Sequence, residues 1–186
     1  MSNHYQQSSS FLDIPENKIS KASPVVDRVI KEIEGEDELE IREMRKGEEK
    51  NLSELFYYVY GYDYISDFVY YPEKIRDLRE EGKLVSIVAA LPNGRLLGHA
   101  ALMKHNENPP VYEPCLGVSH PGAKSKGLFT KIFADVMGRL SGIPMQFCFF
   151  DFVTNHAYSQ KLVSHYNPCT MAMFVGCQKK DTQAKL

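Results

Sequence analysis

From Val111 to Leu140 the chain passes from a strand pattern through a polar turn to its strongest helical pattern. Val111 to Val118 reads as a strand, and Pro121-Gly122-Ala123-Lys124-Ser125-Lys126-Gly127 is a polar, glycine-containing turn. Leu128, Phe129, Ile132, Phe133, Val136, Met137 and Leu140 then recur at i, i+1, i+4, i+5, i+8, i+9 and i+12, which predicts a helix with one broad buried face. A strand that feeds such a helix through a short loop presents unpaired N–H groups and the positive end of a helix dipole, surroundings that suit a phosphate. Lys124 and Lys126 add charge, and Gly127 lets a bulky diphosphate approach the backbone without a Cβ in the way. The plain alternative is an ordinary strand-to-helix connection with exposed lysines.

The remaining elements follow from pattern and punctuation. Met1 to about Ser20 is rich in Ser, Gln and Asn and has too few apolar residues to offset the entropy of ordering it, so it reads as a tail. Residues 1–37 are expected to be that tail with a short amphipathic helix from Pro24 to Glu34, and residues 38–186 the folded domain. Leu39–Met44 reads as a strand, Glu48–Tyr60 as a helix, and Pro72 to Gly82 as a second helix opened by proline and closed by glycine. Leu84–Ala90 and Leu96–Met103 form a hairpin about Pro92-Asn93-Gly94, and Asn106 to Pro110 is a loop. After the long helix come a buried strand, Met145–Val153, a helix from Ala157 to about Tyr166, and a last strand, Met171–Cys177. Strands alternating with helices, plus a hairpin, indicate a mixed α/β sheet with helices on its faces.

Composition excludes several classes of function. The 22 basic and 24 acidic residues are mixed along the 186-residue chain, so no basic field collects nucleic acid. The longest apolar runs are about half of the roughly 20 residues a spanning helix needs, which predicts a soluble protein with no membrane partner. Cys115, Cys148, Cys169 and Cys177 stand far apart without a CxxC pair or a signal-peptide apolar segment ahead of them, and read as reduced, buried thiols of a cytoplasmic protein. His120, His156 and His165 match no compact zinc-ligand spacing, so no metal is expected. The nucleotide-binding pattern Gly-x-x-x-x-Gly-Lys-Ser/Thr is absent.

The order of elements together with Lys124-Ser125-Lys126-Gly127-Leu128-Phe129 resembles the GNAT acyltransferase superfamily, whose coenzyme A signature is Gln/Arg-x-x-Gly-x-Gly/Ala. Tyr60-Gly61-Tyr62 with Tyr70-Tyr71-Pro72-Glu73, Leu97-Gly98-His99-Ala100-Ala101-Leu102, and Val153-Thr154-Asn155-His156 with Tyr158-Ser159-Gln160-Lys161 extend the likeness from Leu39 to Cys177. Lys124 departs from the signature's Gln/Arg and Phe129 from its final small residue. The Phe129 ring is expected to point into the core. The resemblance implies a central, mostly antiparallel sheet of roughly six to seven strands flanked by about four helices and splayed between strands 4 and 5.

The resemblance also implies roles. Acetyl-CoA would lie with its pantetheine arm along Leu116, Gly117 and Val118. Its pyrophosphate would rest on Lys124, Ser125, Lys126, Gly127, Leu128 and Phe129, with His156 and Ser159 as further polar contacts. Glu113 would be the base that deprotonates an amine acceptor, the alternative being a strand-edge carboxylate in a salt bridge beside Pro114, and the Val118 N–H would polarise the thioester carbonyl. The family's usual tyrosine acid aligns with Val163, leaving Tyr158, Tyr166 or solvent to protonate the departing thiolate. Tyr57, Tyr58, Tyr60, Tyr62, Tyr64, Tyr70 and Tyr71 border the implied acceptor pocket; half or more are expected to be packing, with hydroxyls at the surface. A homodimer is compatible with this reading. The alternative is a GNAT-fold binding or regulatory module without catalysis.

Overall fold

The computed structural model describes residues 39–145, 147–151 and 157–169. The tail, the Pro24–Glu34 helix, His156 and the Met171–Cys177 strand lie outside the described residues. In chain order the elements are β1 (Glu40–Glu43), α1 (Glu49–Tyr60), a 3-10 turn (Asp67–Tyr70), α2 (Pro72–Glu80), β2 (Leu84–Ala90), β3 (Leu96–Glu107) and β4 (Pro110–Ser119). A second 3-10 turn (Pro121–Lys126), α3 (Leu128–Ser141), β5 (Phe147–Cys148) and α4 (Tyr158–Ser164) complete the series.

Among the described residues the sheet has five strands in the order β1-β2-β3-β4-β5. The first four form an antiparallel meander, and β5 runs parallel to β4. The period-2 alternation of β2 divides the core. Val88 and Ala90 pack with Leu52, Leu55, Phe56 and Ile75 of α1 and α2, whereas Ile87 and Ala89 pack with Leu128, Ile132, Val136 and Leu140 of α3. The sheet is thus sandwiched between two helical layers. Each fully buried aliphatic side chain in these layers contributes roughly 1.5–3 kcal/mol. Glu49, buried at the start of α1, is bound by Arg79 of α2 at 2.6 Å, and Arg79 also donates to the Met44 carbonyl. That network ties both helices to the end of β1.

Three boundaries differ from the sequence reading. β3 runs on to Glu107 and β4 begins at Pro110, so the expected Asn106–Pro110 loop shrinks to a turn at Asn108-Pro109. Residues 104–107 are polar and half-buried to exposed, so they carry no apolar alternation that would mark them as strand. The expected turn at Pro121–Lys126 is 3-10 helical, because Pro121 presets the backbone and the His120 ring caps the turn by accepting from the Gly122 N–H at 3.2 Å. Of the expected Met145–Val153 strand, only Phe147–Cys148 pairs among the described residues.

Candidate acyl-transfer cleft

β4 and β5 pair only at Val111–Phe147 and Tyr112–Cys148, with a last bond from the Phe149 N–H to the Tyr112 carbonyl at 3.1 Å. Beyond that point Glu113 to Ser119 have no strand partner on this side among the described residues. Among the described residues, the backbone donors and acceptors that this stretch of β4 turns to that side therefore have no strand partner.

Two irregularities shape the cleft. On β3 the register shifts between Lys104–Tyr112 and Asn106–Val111, which leaves His105 as an extra residue. Its Nε2 lies 2.6 Å from Glu113 Oε2, and because a carboxylate only accepts, the imidazole donates. The His105 ring also packs on Phe149 at 5.3 Å between centroids. Glu113 is therefore held at the point where β4 and β5 part. On β4 the shift falls between His99–Val118 and Ala101–Cys115, with Leu116 in the left-handed region at φ 54°.

The ladder bears on the direction of the Val118 N–H. The His120 N–H donates to the Leu97 carbonyl at 2.8 Å, and two residues earlier Val118 faces His99 in the same register. Hydrogen-bonded pairs recur every second residue in an antiparallel ladder, so the Val118 N–H turns to β3. Ser119, paired with Gly98, has the other parity, and its N–H turns away from β3.

At its far end the cleft meets the loop. Gly127 adopts φ 64°, ψ 14°, a backbone that glycine takes without strain, and a Cβ there would meet open space. The first helical bond of α3 runs from the Lys131 N–H to the Gly127 carbonyl at 3.2 Å, so the N–H groups of Leu128, Phe129 and Thr130 precede it and point out of the helix end. Lys124, Ser125 and Lys126 belong to the 3-10 turn just before it. Phe129 turns its ring inward as expected and lies against Gly117, where a Cβ would come within 2.7 Å of Phe129 Cζ. An open strand edge leading to free N–H groups at a helix start fits an extended thiol arm ending in a diphosphate, the shape of coenzyme A.

His120 is almost fully buried where this loop begins, with its ring 5.8 Å from that of Tyr58. Burial, and secondarily the charge of Arg95, pushes its imidazole down to about 4, so it stays neutral. Together with Glu54, Tyr58 and Arg95 it lines a cleft of about 400 Å³. Glu54 has its carboxyl raised by burial, against the pull of Lys50 and Arg95.

Other candidate residues are less closely placed. Tyr158 is exposed, and Tyr166 is exposed but packs edge-on against Phe133 at 6.0 Å. The hydrogen bond described for Glu113 goes to His105 rather than to either tyrosine. Ser159 Oγ is buried with no hydrogen-bond partner among the described residues. Cys115 and Cys148 are half-buried, but Cys169 is exposed, against the expectation of buried thiols. Burial, and after it the charge of Glu113, pushes the Cys148 thiol up to about 11 and the Cys115 thiol higher still.

The tyrosines form a packed layer. Phe56 and Tyr60 each pack at a tilt against Tyr64, with ring centroids 4.7 Å and 4.8 Å away, and the Tyr70 hydroxyl accepts from the Tyr64 N–H at 3.0 Å. The hydroxyls of Tyr57 and Tyr62 are buried, not at the surface as expected. Burial raises Tyr60, Tyr64 and Tyr70, which therefore remain neutral phenols.

Sequence reasoning missed His99 and His105. The only signal for His105 was its place two residues past the apolar run of β3, within reach of Glu113 across a turn. No group of potential metal ligands occurs among the described residues, and no helix among them is long and apolar enough to cross a membrane.

No protein-family model matches this sequence, and no curated protein is similar to it in sequence. Solved structures are similar in fold. An acetyltransferase from Trypanosoma brucei is 18% identical with a TM-score of 0.60, over 76% of this chain and 100% of that one. The aminoglycoside N-acetyltransferase AAC(6')-Iy in complex with CoA is 17% identical with a TM-score of 0.59, over 77% and 96%. Glucosamine-6-phosphate N-acetyltransferase from Arabidopsis thaliana is 15% identical with a TM-score of 0.54, over 75% and 99%.

Proposed function

Because this chain has the GNAT acyltransferase fold, we propose that it transfers an acetyl group from acetyl-CoA directly to a primary amine, in the cytoplasm. The observation that carries the reading is the Glu113 carboxylate at the point where β4 leaves β5, on an edge that leads to the helix start at Gly127. Acetyl-CoA supplies the activated acyl thioester. The loop Lys124 to Phe129 and the α3 N-terminus hold its pyrophosphate, and the edge of β4 at Leu116 and Gly117 receives the arm. A bound amine arrives as an ammonium ion, Glu113 accepts its proton, and the Gly117 N–H donates to the thioester carbonyl. His105 fixes the carboxylate while doing so. The raised thiols of Cys115 and Cys148 argue against an acyl-cysteine intermediate and for direct transfer. His156 and Ser159 remain candidates for cofactor contact, and Tyr158 or Tyr166 for the acid.

Structural neighbours act on an aminoglycoside and on glucosamine 6-phosphate. A panel of amino sugars, aminoglycosides, polyamines and peptide N-termini is the first acceptor screen, with thiol release from acetyl-CoA as the readout. Glu113→Gln should lower kcat about 100-fold or more on any acceptor found while desulfo-CoA affinity stays the same. An unchanged rate removes Glu113 from the mechanism. A second reading, a cofactor-binding module without catalysis, is favoured by the Phe129 ring where the family signature has a small residue. Binding of desulfo-CoA with no thiol release on any acceptor would support it.

A further inference from the structure

The β4 irregularity has an internal support. Between His99–Val118 and Ala101–Cys115, β4 carries one residue more than β3, and the excess is taken up at Leu116. Leu116 is buried and held at φ 54°, a backbone that is unfavourable for a leucine. A side-chain hydrogen bond reaches its carbonyl from within the core: His99 Nδ1 lies 2.8 Å from the Leu116 oxygen. His99 is fully buried on the α1 face, with Phe56 edge-on at 5.9 Å. Burial lowers its imidazole to about 4, so the ring is neutral, and because a carbonyl only accepts, its single proton sits on Nδ1. His99 Nε2 has no partner among the described residues. Burying an imidazole with one nitrogen unsatisfied is unfavourable, and packing alone would be served by a leucine.

A trans peptide points its carbonyl and the following N–H in opposite directions. With the Leu116 carbonyl held toward His99, the Gly117 N–H turns away from it, toward the edge that β5 has left. Gly117 has no side chain to cover that edge. We propose that His99 is a positioning residue: by holding the Leu116 carbonyl it aims the Gly117 N–H at the carbonyl oxygen of a bound acyl thioester. The proposal rests on the acetyl-CoA reading above and adds to it the side chain that sets the donor's direction.

Two coenzyme A analogues test it in the intact protein by calorimetry. Acetonyl-CoA keeps a carbonyl near the thioester's position, and desulfo-CoA has none. The wild type should bind acetonyl-CoA about tenfold more tightly, the difference expected of one well-placed hydrogen bond. His99→Leu should reduce that ratio to about one, whereas His99→Asn, whose amide N–H takes the place of Nδ1, should keep it. A loss of stability alone would leave the ratio unchanged. A preserved ratio in His99→Leu, or a ratio of one in the wild type, overturns the proposal while the cofactor reading stands. Binding of neither analogue to the wild type overturns both. Should His99→Leu not fold, the amide resonance of Gly117 in the wild type decides. It should move with acetonyl-CoA and not with desulfo-CoA, and equal behaviour with both refutes the assignment.

Discussion

Gly117→Ala should destabilise the protein, and a second substitution twelve residues further on, in the first turn of α3, should relieve it. A Cβ at position 117 would lie 2.7 Å from Phe129 Cζ and 3.0 Å from Cε2. Carbon atoms rest at roughly 3.5–4.0 Å, so the ring would have to retreat by about an ångström. It has little room to do so, because Phe129 sits in the first turn of a helix anchored by Leu128, Ile132, Val136 and Leu140, all nearly fully buried. Its ring also lies 6.2 Å from that of Phe133. Overpacking of this kind costs about 1–3 kcal/mol. Phe129→Leu removes the far ring atoms that the new methyl group would strike. The double variant should therefore be less destabilised than the two single effects combined, by about 1–2 kcal/mol. Urea melts of the four proteins measure the cycle. A Gly117→Ala variant within about 0.5 kcal/mol of the wild type, or additive effects, would refute the packing of Phe129 on β4 and the inward position of its ring.

Other consequences can be checked in the same way. Ile132 is fully buried against the sheet, so Ile132→Ala should cost about 2–5 kcal/mol, and a loss below 1 kcal/mol would contradict the docking of α3. His99 is neutral in the folded state with its pKa lowered to about 4, against an ordinary value near 6.5. Below pH 6.5 the unfolded chain gains a proton that the folded one refuses, so stability falls as pH drops from about 6.5 to 4 and is unaffected above that window. The contribution is on the order of 3 kcal/mol, and His99→Asn should show a correspondingly shallower fall in urea midpoint between pH 7 and pH 4.5. Equal slopes in the two proteins would refute a buried neutral imidazole.

How far the sequence could be read depended on what each residue's pattern reports. The α3 stripe from Leu128 to Leu140, the Leu84–Ala90 run and the Pro72 helix start are strong local signals, and each element appears where it was expected. The far half of β3 was lost because Lys104, His105 and Asn106 have no apolar alternation. Strand pairing there follows from the hairpin register, which only the partner strand determines. Missing that half meant missing the contact between His105 and Glu113. Glu113 itself is a candidate through a resemblance and its position before the loop. The direction of backbone groups on β4 was beyond reach, since one extra residue reverses the parity of every N–H that follows, and nothing in Cys115-Leu116-Gly117 announces a leucine in the left-handed region. The tyrosine hydroxyls were misplaced for a related reason: aromatic crowding near Tyr57 to Tyr71 says that rings pack, not which end is buried.

The central claim is that the loop ending at Gly127 and the open edge of β4 form a coenzyme A site. Calorimetric titration of the wild type and of Gly127→Val with acetyl-CoA tests it most directly. A Cβ at position 127 meets no protein atom within 4 Å, so the valine acts through the φ 64° backbone and the space a diphosphate needs, not through the core. The backbone effect is roughly 1–2 kcal/mol, visible in a urea melt but compatible with folding. The account predicts saturable binding by the wild type and at least a tenfold weaker affinity in the folded variant. No binding by the wild type at about 1 mM acetyl-CoA, or equal affinity in the two proteins, would contradict it.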